Sequence, residues 1–302
     1  MRIRHFNFVG IRKLDGLVAD LPRKHDTDLV VVHGERASGK TTFLDALAAA
    51  KERTSETGAF DGRWDALPAP GAATAKVAID WELSDEERNR MALSDPLLSA
   101  EVILGGSRGA ADYPIALRGI LGQQGDATRG SVHYLHDSRA LEGPLPHGAD
   151  DTAFRQRLTT RNAKFGNLYD VLDQSSLASA RALATQRFAE LCPTLAIDGL
   201  RRFGTSFGPM IRDQERGESR EADKLSASER QAYLIALYTA RRPIVDSVVL
   251  VDAPEIGFGD AGAVDLVRAL LRWTSRSQLV VATASDSVRN MPETAHVVEL
   301  RR

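Results

Sequence analysis

Hydrophobic and polar positions divide this chain into recognisable elements. Phe6 and Phe8, then Leu17, Ala19 and Leu21, fall at every second position, which predicts two short strands forming a hairpin. Leu29 to Val32 is an unbroken apolar run, the mark of a strand buried on both faces. Phe43, Ala46, Leu47 and Ala50 recur at helical spacing, so a helix follows that strand within a few residues. The opening hairpin is expected to lie beside the Leu29–Val32 strand. Residues 52 to 75, with their DALPAPGAATA run, read as an exposed connection.

Further along, Val77, Ile79, Trp81 and Leu83 alternate with polar residues, predicting an antiparallel strand with one wet face. A charged helix from Asp85 to Met91 follows. Residues 101 to 130 are short apolar runs cut by glycine-rich stretches. There Gln123 and Gln124 read as loop, with a magnesium- or water-sensing glutamine as the alternative. Ser131 to Tyr134 predicts a strand, and His136–Arg139 ends it in a polar turn that either faces solvent or a ligand. Residues 151 to 192 have helix-friendly composition and no sustained heptads, predicting a small helical lobe. The charge run 211–224 reads as a solvated loop. Leu225 opens a helix running to Arg242 and stopped by Pro243. Two more buried strands follow, Val248–Val251 ending in Asp252, and Gln278–Thr283.

Composition adds bounds. The chain has 302 residues, a formal net charge of −2 and one cysteine. That balance carries no polybasic signature, so nucleic-acid binding would need a local patch. A single cysteine, Cys192, forms no internal disulfide and reads as a buried structural thiol. No apolar signal core follows Met1 and no run approaches membrane-spanning length, so the expected location is cytoplasmic.

The chemistry lies between the Leu29–Val32 strand and its helix. Gly34-Glu35-Arg36-Ala37-Ser38-Gly39-Lys40-Thr41 fills the G-x-x-x-x-G-K-[ST] phosphate loop without a mismatch. Glycines let the backbone turn its N–H groups toward phosphates, and the helix start adds partial positive charge. Lys40 is expected on the β- and γ-phosphates, Thr41 on Mg²⁺, and the Thr42 N–H near the phosphates. Asp252, delivered by its buried strand to the carboxyl edge of the sheet, is a second metal candidate. Ser226 with Glu229 forms a candidate capping box, which explains neither the leucine before it nor the glutamine after it.

The order of phosphate loop, Leu225-Ser226-x-x-Glu229-Arg230-Gln231 helix start, hydrophobic-Asp252-x-Pro254-Glu255 strand and Gln278–Thr283 strand resembles the ABC-type ATPases. Within them it is most similar to soluble RecF/SMC-like and OLD-like heads. The resemblance implies an α/β ABC-type P-loop head with a mixed sheet and a small helical lobe. It divides as 1–149, a helical insert 150–205, and 206–302. It also implies ATP and Mg²⁺ as ligands and a nucleotide-driven homodimer or heteromeric partner. Ser226, with Ser228, would then contact the γ-phosphate held by the other head. A role in DNA repair or phage defence rests on the same analogy. Three positions depart from the family pattern. Ser228 stands at the signature glycine, Ala253 at the polarising glutamate, and Ala284 at the switch histidine. Two readings follow: a weak or partner-dependent ATPase with Glu255 as substitute base, or an inactive nucleotide-binding module.

Overall fold

The computed structural model describes residues 1–55, 64, 66–105, 111–112, 114–121, 130–137, 168, 170–173, 177–203, 206–241 and 243–301. Its centre is a five-stranded parallel sheet. The strands are β3 (Asp28–His33), β7 (Val132–Leu135), β12 (Val248–Asp252), β14 (Gln278–Thr283) and β15 (Thr294–Glu299), in the order β15-β3-β14-β12-β7. Central strands must be covered on both faces. In β3, accordingly, Val30 and Val32 enter one core while Leu29 and Val31 enter the other.

The first core lies under α1 (Lys40–Ser55) and a second, antiparallel sheet. That sheet has the order β2-β1-β4-β5-β6, from β1 (Arg2–Val9), β2 (Val18–Asp20), β4 (Ala75–Glu82), β5 (Leu97–Leu104) and β6 (Ala111–Asp112). Phe6 and Phe8 of β1 meet Phe43 of α1 at ring-centroid distances of 5.0 and 5.2 Å. The burial of β4 alternates residue by residue, as its sequence predicts. Two short helices belong to this half, α2 (Asp85–Arg90), opened by a complete Ser84/Glu87 capping box, and α3 (Ile115–Leu121).

The second core is covered by helices. They are α4 (Asp170–Asp173), α5 (Ala178–Leu191), α6 (Ala227–Arg241), α7 (Glu255–Trp273) and α8 (Asp286–Arg289). Helix α6 is buried from Gln231 to Ala240, which explains why its sequence is apolar nearly all round. A third sheet joins β8 (Leu195–Phe203), β9 (Ser206–Asp213) and β10 (Ser219–Glu221), and a short parallel pair joins β11 (Ile244–Val245) to β13 (Thr274–Ser275).

Several expectations change. The opening hairpin pairs with β4 and not with β3, because its alternating residues suit a sheet with one covered face. Helix α1 continues to Ser55, and Trp64 and Leu67 are buried, so the 52–75 connection is only partly exposed. Strand β8 occupies residues expected in the helical insert, and the charge run at 211–224 includes the β9–β10 hairpin. Charged residues on an edge hairpin keep their heads in water while the backbone pairs. Gln123, Gln124, Ser138, Arg139 and the stretch around residue 150 lie outside the described residues. Cys192 is half-buried rather than buried, and burial pushes its thiol up to about 11, which leaves it unreactive.

One side chain ties the two large sheets together. Gln278 is 1% exposed at the start of β14. Its Oε1 accepts from the Ile3 N–H at 2.9 Å and its Nε2 donates to the Ile3 carbonyl at 3.0 Å. Replacing it by leucine leaves two buried backbone groups of β1 unpaired. The expected loss is about 2–4 kcal/mol of unfolding free energy, read by urea denaturation of Gln278→Leu against the parent.

Candidate functional site

The site is built at the carboxyl edge of the parallel sheet, where β3 hands over to α1. Gly34 follows β3 directly, and there is no room for a side chain on it. A Cβ would stand 2.6 Å from Ser38 Oγ and 2.7 Å from the Leu300 carbonyl. The loop then rises through exposed Glu35, Arg36 and Ala37 and returns through buried Ser38. Ala37 has φ +64° and Gly39 φ +103°, a left-handed path that turns successive N–H groups to one side. The Ser38 N–H donates to the Glu35 carbonyl at 3.2 Å, and Phe43 N–H to Gly39 carbonyl at 2.8 Å begins the helix ladder.

Lys40 lies inside this curl, donating to the Gly34 and Glu35 carbonyls, each at 2.7 Å. Burial lowers its ammonium pKa, while the charges of Glu255 and Asp252 pull the other way. The same interactions place both carboxylates within electrostatic reach of Lys40. Asp252 is 1% exposed at the end of β12. Thr41 and Thr42 are half-buried at the first turn of α1.

Ala253 follows Asp252 with φ +44°, and its N–H donates to the Ala282 carbonyl at 2.8 Å. A left-handed alanine is unusual, and the turn carries the chain back so that Glu255 faces β14. The Glu255 carboxylate accepts from Thr283 Oγ1 at 2.7 Å and from the Ala284 N–H at 3.0 Å. Both of its oxygens are therefore engaged at the end of β14, beside the position where the family pattern has a histidine.

The structure thus brings together Gly34, Ser38, Gly39, Lys40, Asp252 and Glu255. Ser226 and Ser228 stand elsewhere, at the opening of α6. Their hydroxyls are 3.3 Å apart. The Ser226 N–H donates to Glu229 at 2.7 Å and Ser226 Oγ accepts from the Glu229 N–H at 3.4 Å. The capping box is therefore real. Burial alone would raise the Glu229 carboxyl, but the Ser226 N–H and hydroxyl and the Arg220 guanidinium outweigh it and hold it below the usual range. At Gly257, with φ +89°, an added Cβ would stand 3.5 Å from the Ser228 N and Ala227 C atoms, so the segment after Asp252 passes beside this helix start.

Two contacts to the loop escaped the sequence reading, and a third residue, read there as ending a strand toward solvent or a ligand, is buried. Lys13 donates to the Ala37 carbonyl at 3.0 Å, and Leu14 packs on the loop, 3.1 Å from where a Gly39 Cβ would stand. His136, expected in a polar turn, is 1% exposed. None of the three belongs to a motif. Only the apolar rhythm before His136 hinted that its strand ends inside the protein.

The residues fit a magnesium-bound polyphosphate. The backbone at Gly34 cannot carry a side chain, Lys40 lies within electrostatic reach of the buried Asp252 carboxylate, and Thr41 supplies a hydroxyl at the first turn of α1. Among the described residues no group of three or more His, Cys, Asp or Glu side chains could hold a metal by itself. A divalent ion here would share its coordination with phosphate oxygens. Among the same residues no helix is long and apolar enough to cross a membrane.

No family model and no curated protein matches the sequence. Solved structures do match the fold. An SMC head bound to the C-terminal winged-helix domain of ScpA superposes with TM-score 0.60 at 13% identity, over 95% of this chain and 91% of that one. The SMC head domain of Thermotoga maritima gives 0.51 at 15%, over 95% and 91%. An SMC head with an extended coiled coil, bound to the ScpA C-terminal domain derived from Pyrococcus furiosus, gives 0.59 at 12%, over 95% and 90%. The chain has the fold of an SMC head, an ABC-type P-loop architecture.

Gly34→Ala is expected to cost about 1–3 kcal/mol by overpacking, measured by thermal or urea unfolding. Adding Ser38→Gly should not restore it, because the Leu300 carbonyl is backbone and still obstructs the new methyl group.

Proposed function

We propose that this chain is a Mg-ATP-dependent switch. It closes on nucleotide with a second copy or a heteromeric partner, and hydrolyses ATP weakly or only when that partner completes the site. The observation that carries this reading is the combination at one sheet edge of a complete phosphate cradle with alanines at the two hydrolytic positions, Ala253 and Ala284. Gly34 and Gly39 act through backbone shape, and the N–H groups of Glu35, Arg36 and Ala37, with that of Thr42, serve the phosphates, while the Ser38 N–H closes the loop on the Glu35 carbonyl. Lys40 supplies charge to the β- and γ-phosphates. Thr41 and Asp252 take the metal, which when bound neutralises phosphate charge. Ser226 and Ser228 serve the nucleotide of the opposing head, which agrees with their place at the opening of α6, where Ser226 is exposed and Ser228 half-buried.

With Asp252 assigned to the metal, Glu255 is the other carboxylate within electrostatic reach of Lys40 and the candidate to replace the missing base. To act so it must exchange its bonds to Thr283 and Ala284 for one to water. That exchange favours slow turnover, and the engaged carboxylate equally supports the second reading, a purely nucleotide-binding subunit. The similar SMC heads solved with a ScpA winged-helix domain support a small protein domain as the heteromeric partner. The net charge of −2 lends no support to nucleic acid as the sole partner.

Calorimetry is expected to show ATP binding that needs Mg²⁺ and is lost in Lys40→Ala, with turnover close to that variant's blank. Ala253→Glu should raise turnover by about two decades, the usual worth of a positioned base. Failure of the parent protein to bind ATP would overturn the proposal. Turnover far above the blank, abolished by Glu255→Gln, would instead make it an autonomous ATPase.

A further inference from the structure

His136 is a buried imidazole to which no role in the nucleotide site has been given. It follows β7, which lies at the end of the strand order, next to β12. Strands β12 and β7 run parallel with Val251 opposite Leu135, so the next residues, Asp252 and His136, come side by side about 5 Å apart along the sheet.

Alternation fixes the face as well. In β7, Val132 and Tyr134 enter the core shared with α1, whereas Leu135 enters the helical core; in β12, Val248 and Leu250 enter the first and Val249 and Val251 the second. Continuing each strand by one residue puts Asp252 and His136 both on the α1 face, the face from which Thr41 rises. The Tyr134 and His136 rings confirm this for His136, lying 3.5 Å apart between centroids at 32°. His133, one face over, instead meets Tyr238 Oη at 2.7 Å through Nδ1.

We propose that His136 is a metal ligand of this site, giving a ring nitrogen to the divalent ion that Asp252 and Thr41 hold with the nucleotide. The inference rests on the Mg-ATP reading above. Three facts on the structure carry it: the neighbouring register, the shared face, and the near-complete burial of a polar ring at a sheet edge otherwise lined by phosphate-binding groups. An imidazole in the coordination sphere shifts preference from Mg²⁺, which favours oxygen, toward transition-metal ions. The site therefore favours Mn²⁺ over Mg²⁺ more than an all-oxygen site would.

The test is pulsed EPR of the full chain with Mn²⁺ and ATP, after labelling its histidines with ¹⁵N. A directly bound histidine nitrogen, expected in the parent protein, changes its coupling with the label and disappears in His136→Gln. His33→Gln and His133→Gln keep it. Titration of ATP with each metal is expected to show the Mn²⁺-to-Mg²⁺ affinity ratio falling about tenfold in His136→Gln, with unfolding curves reporting that the variant is folded. Mn²⁺–ATP binding without a histidine nitrogen, or with one that survives His136→Gln, overturns the role of His136 and leaves the nucleotide site standing. Absence of any Mn²⁺–ATP or Mg²⁺–ATP binding by the parent protein overturns both. A labelled parent spectrum with no histidine nitrogen overturns the role of His136 even where the variant fails to fold.

Discussion

The parallel register of the central sheet is the constraint on which the rest depends. Each strand ends its apolar run level with its neighbours: His33 opposite Thr283, Ala282 opposite Asp252, Val251 opposite Leu135. A slip of one residue in β12 would turn Asp252 to the helical face and bury a carboxylate among leucines and valines. The alternation of Val and Leu into two different cores makes such a slip costly along the whole strand. Chemistry at the edge is therefore aligned by packing well below it, and no polar residue at the site has to position itself.

Much of this was legible in the sequence because it is local. A phosphate loop needs its glycines at fixed offsets, and Gly34 and Gly39 are where backbone crowding and a left-handed turn require them. The runs at 29–32, 248–251 and 278–283 are apolar because they are covered on both faces, and the Pro243 stop and the Ser226–Glu229 cap are short-range. What was missed is long-range. Nothing near Phe6 and Phe8 says that their hairpin pairs with β4 across 70 residues of chain. Lys13 reaches the loop only because the antiparallel sheet folds over α1. His136 reads as a turn residue because the signal for burial, a neighbouring strand from residue 248 onward, lies more than a hundred positions away. The 211–224 run misled for another reason: charge density reports solvent contact and says nothing about whether the backbone beneath is paired.

On the proposed reading, alanines at positions 253 and 284 would separate two properties that a nucleotide site usually combines. Holding polyphosphate needs backbone geometry and a few fixed charges, which are assembled by the fold. Activating water needs one additional carboxylate aimed at one point, and here the nearest candidate, Glu255, is already bonded to the end of β14. Stability of the turn after Asp252 and freedom of its carboxylate are thus in competition.

That turn has a mechanical aspect. From Glu255 to Gly259 the chain is bonded at its start, through the Glu255 carboxylate to Thr283 and Ala284, and then passes beside the opening of α6 at Gly257. Between them Ile256 stands 48% exposed. Ile256 is thus an exposed apolar side chain on a span between the Asp252 edge of the sheet and the Ser226 helix start, and a surface docked on it would bear on both.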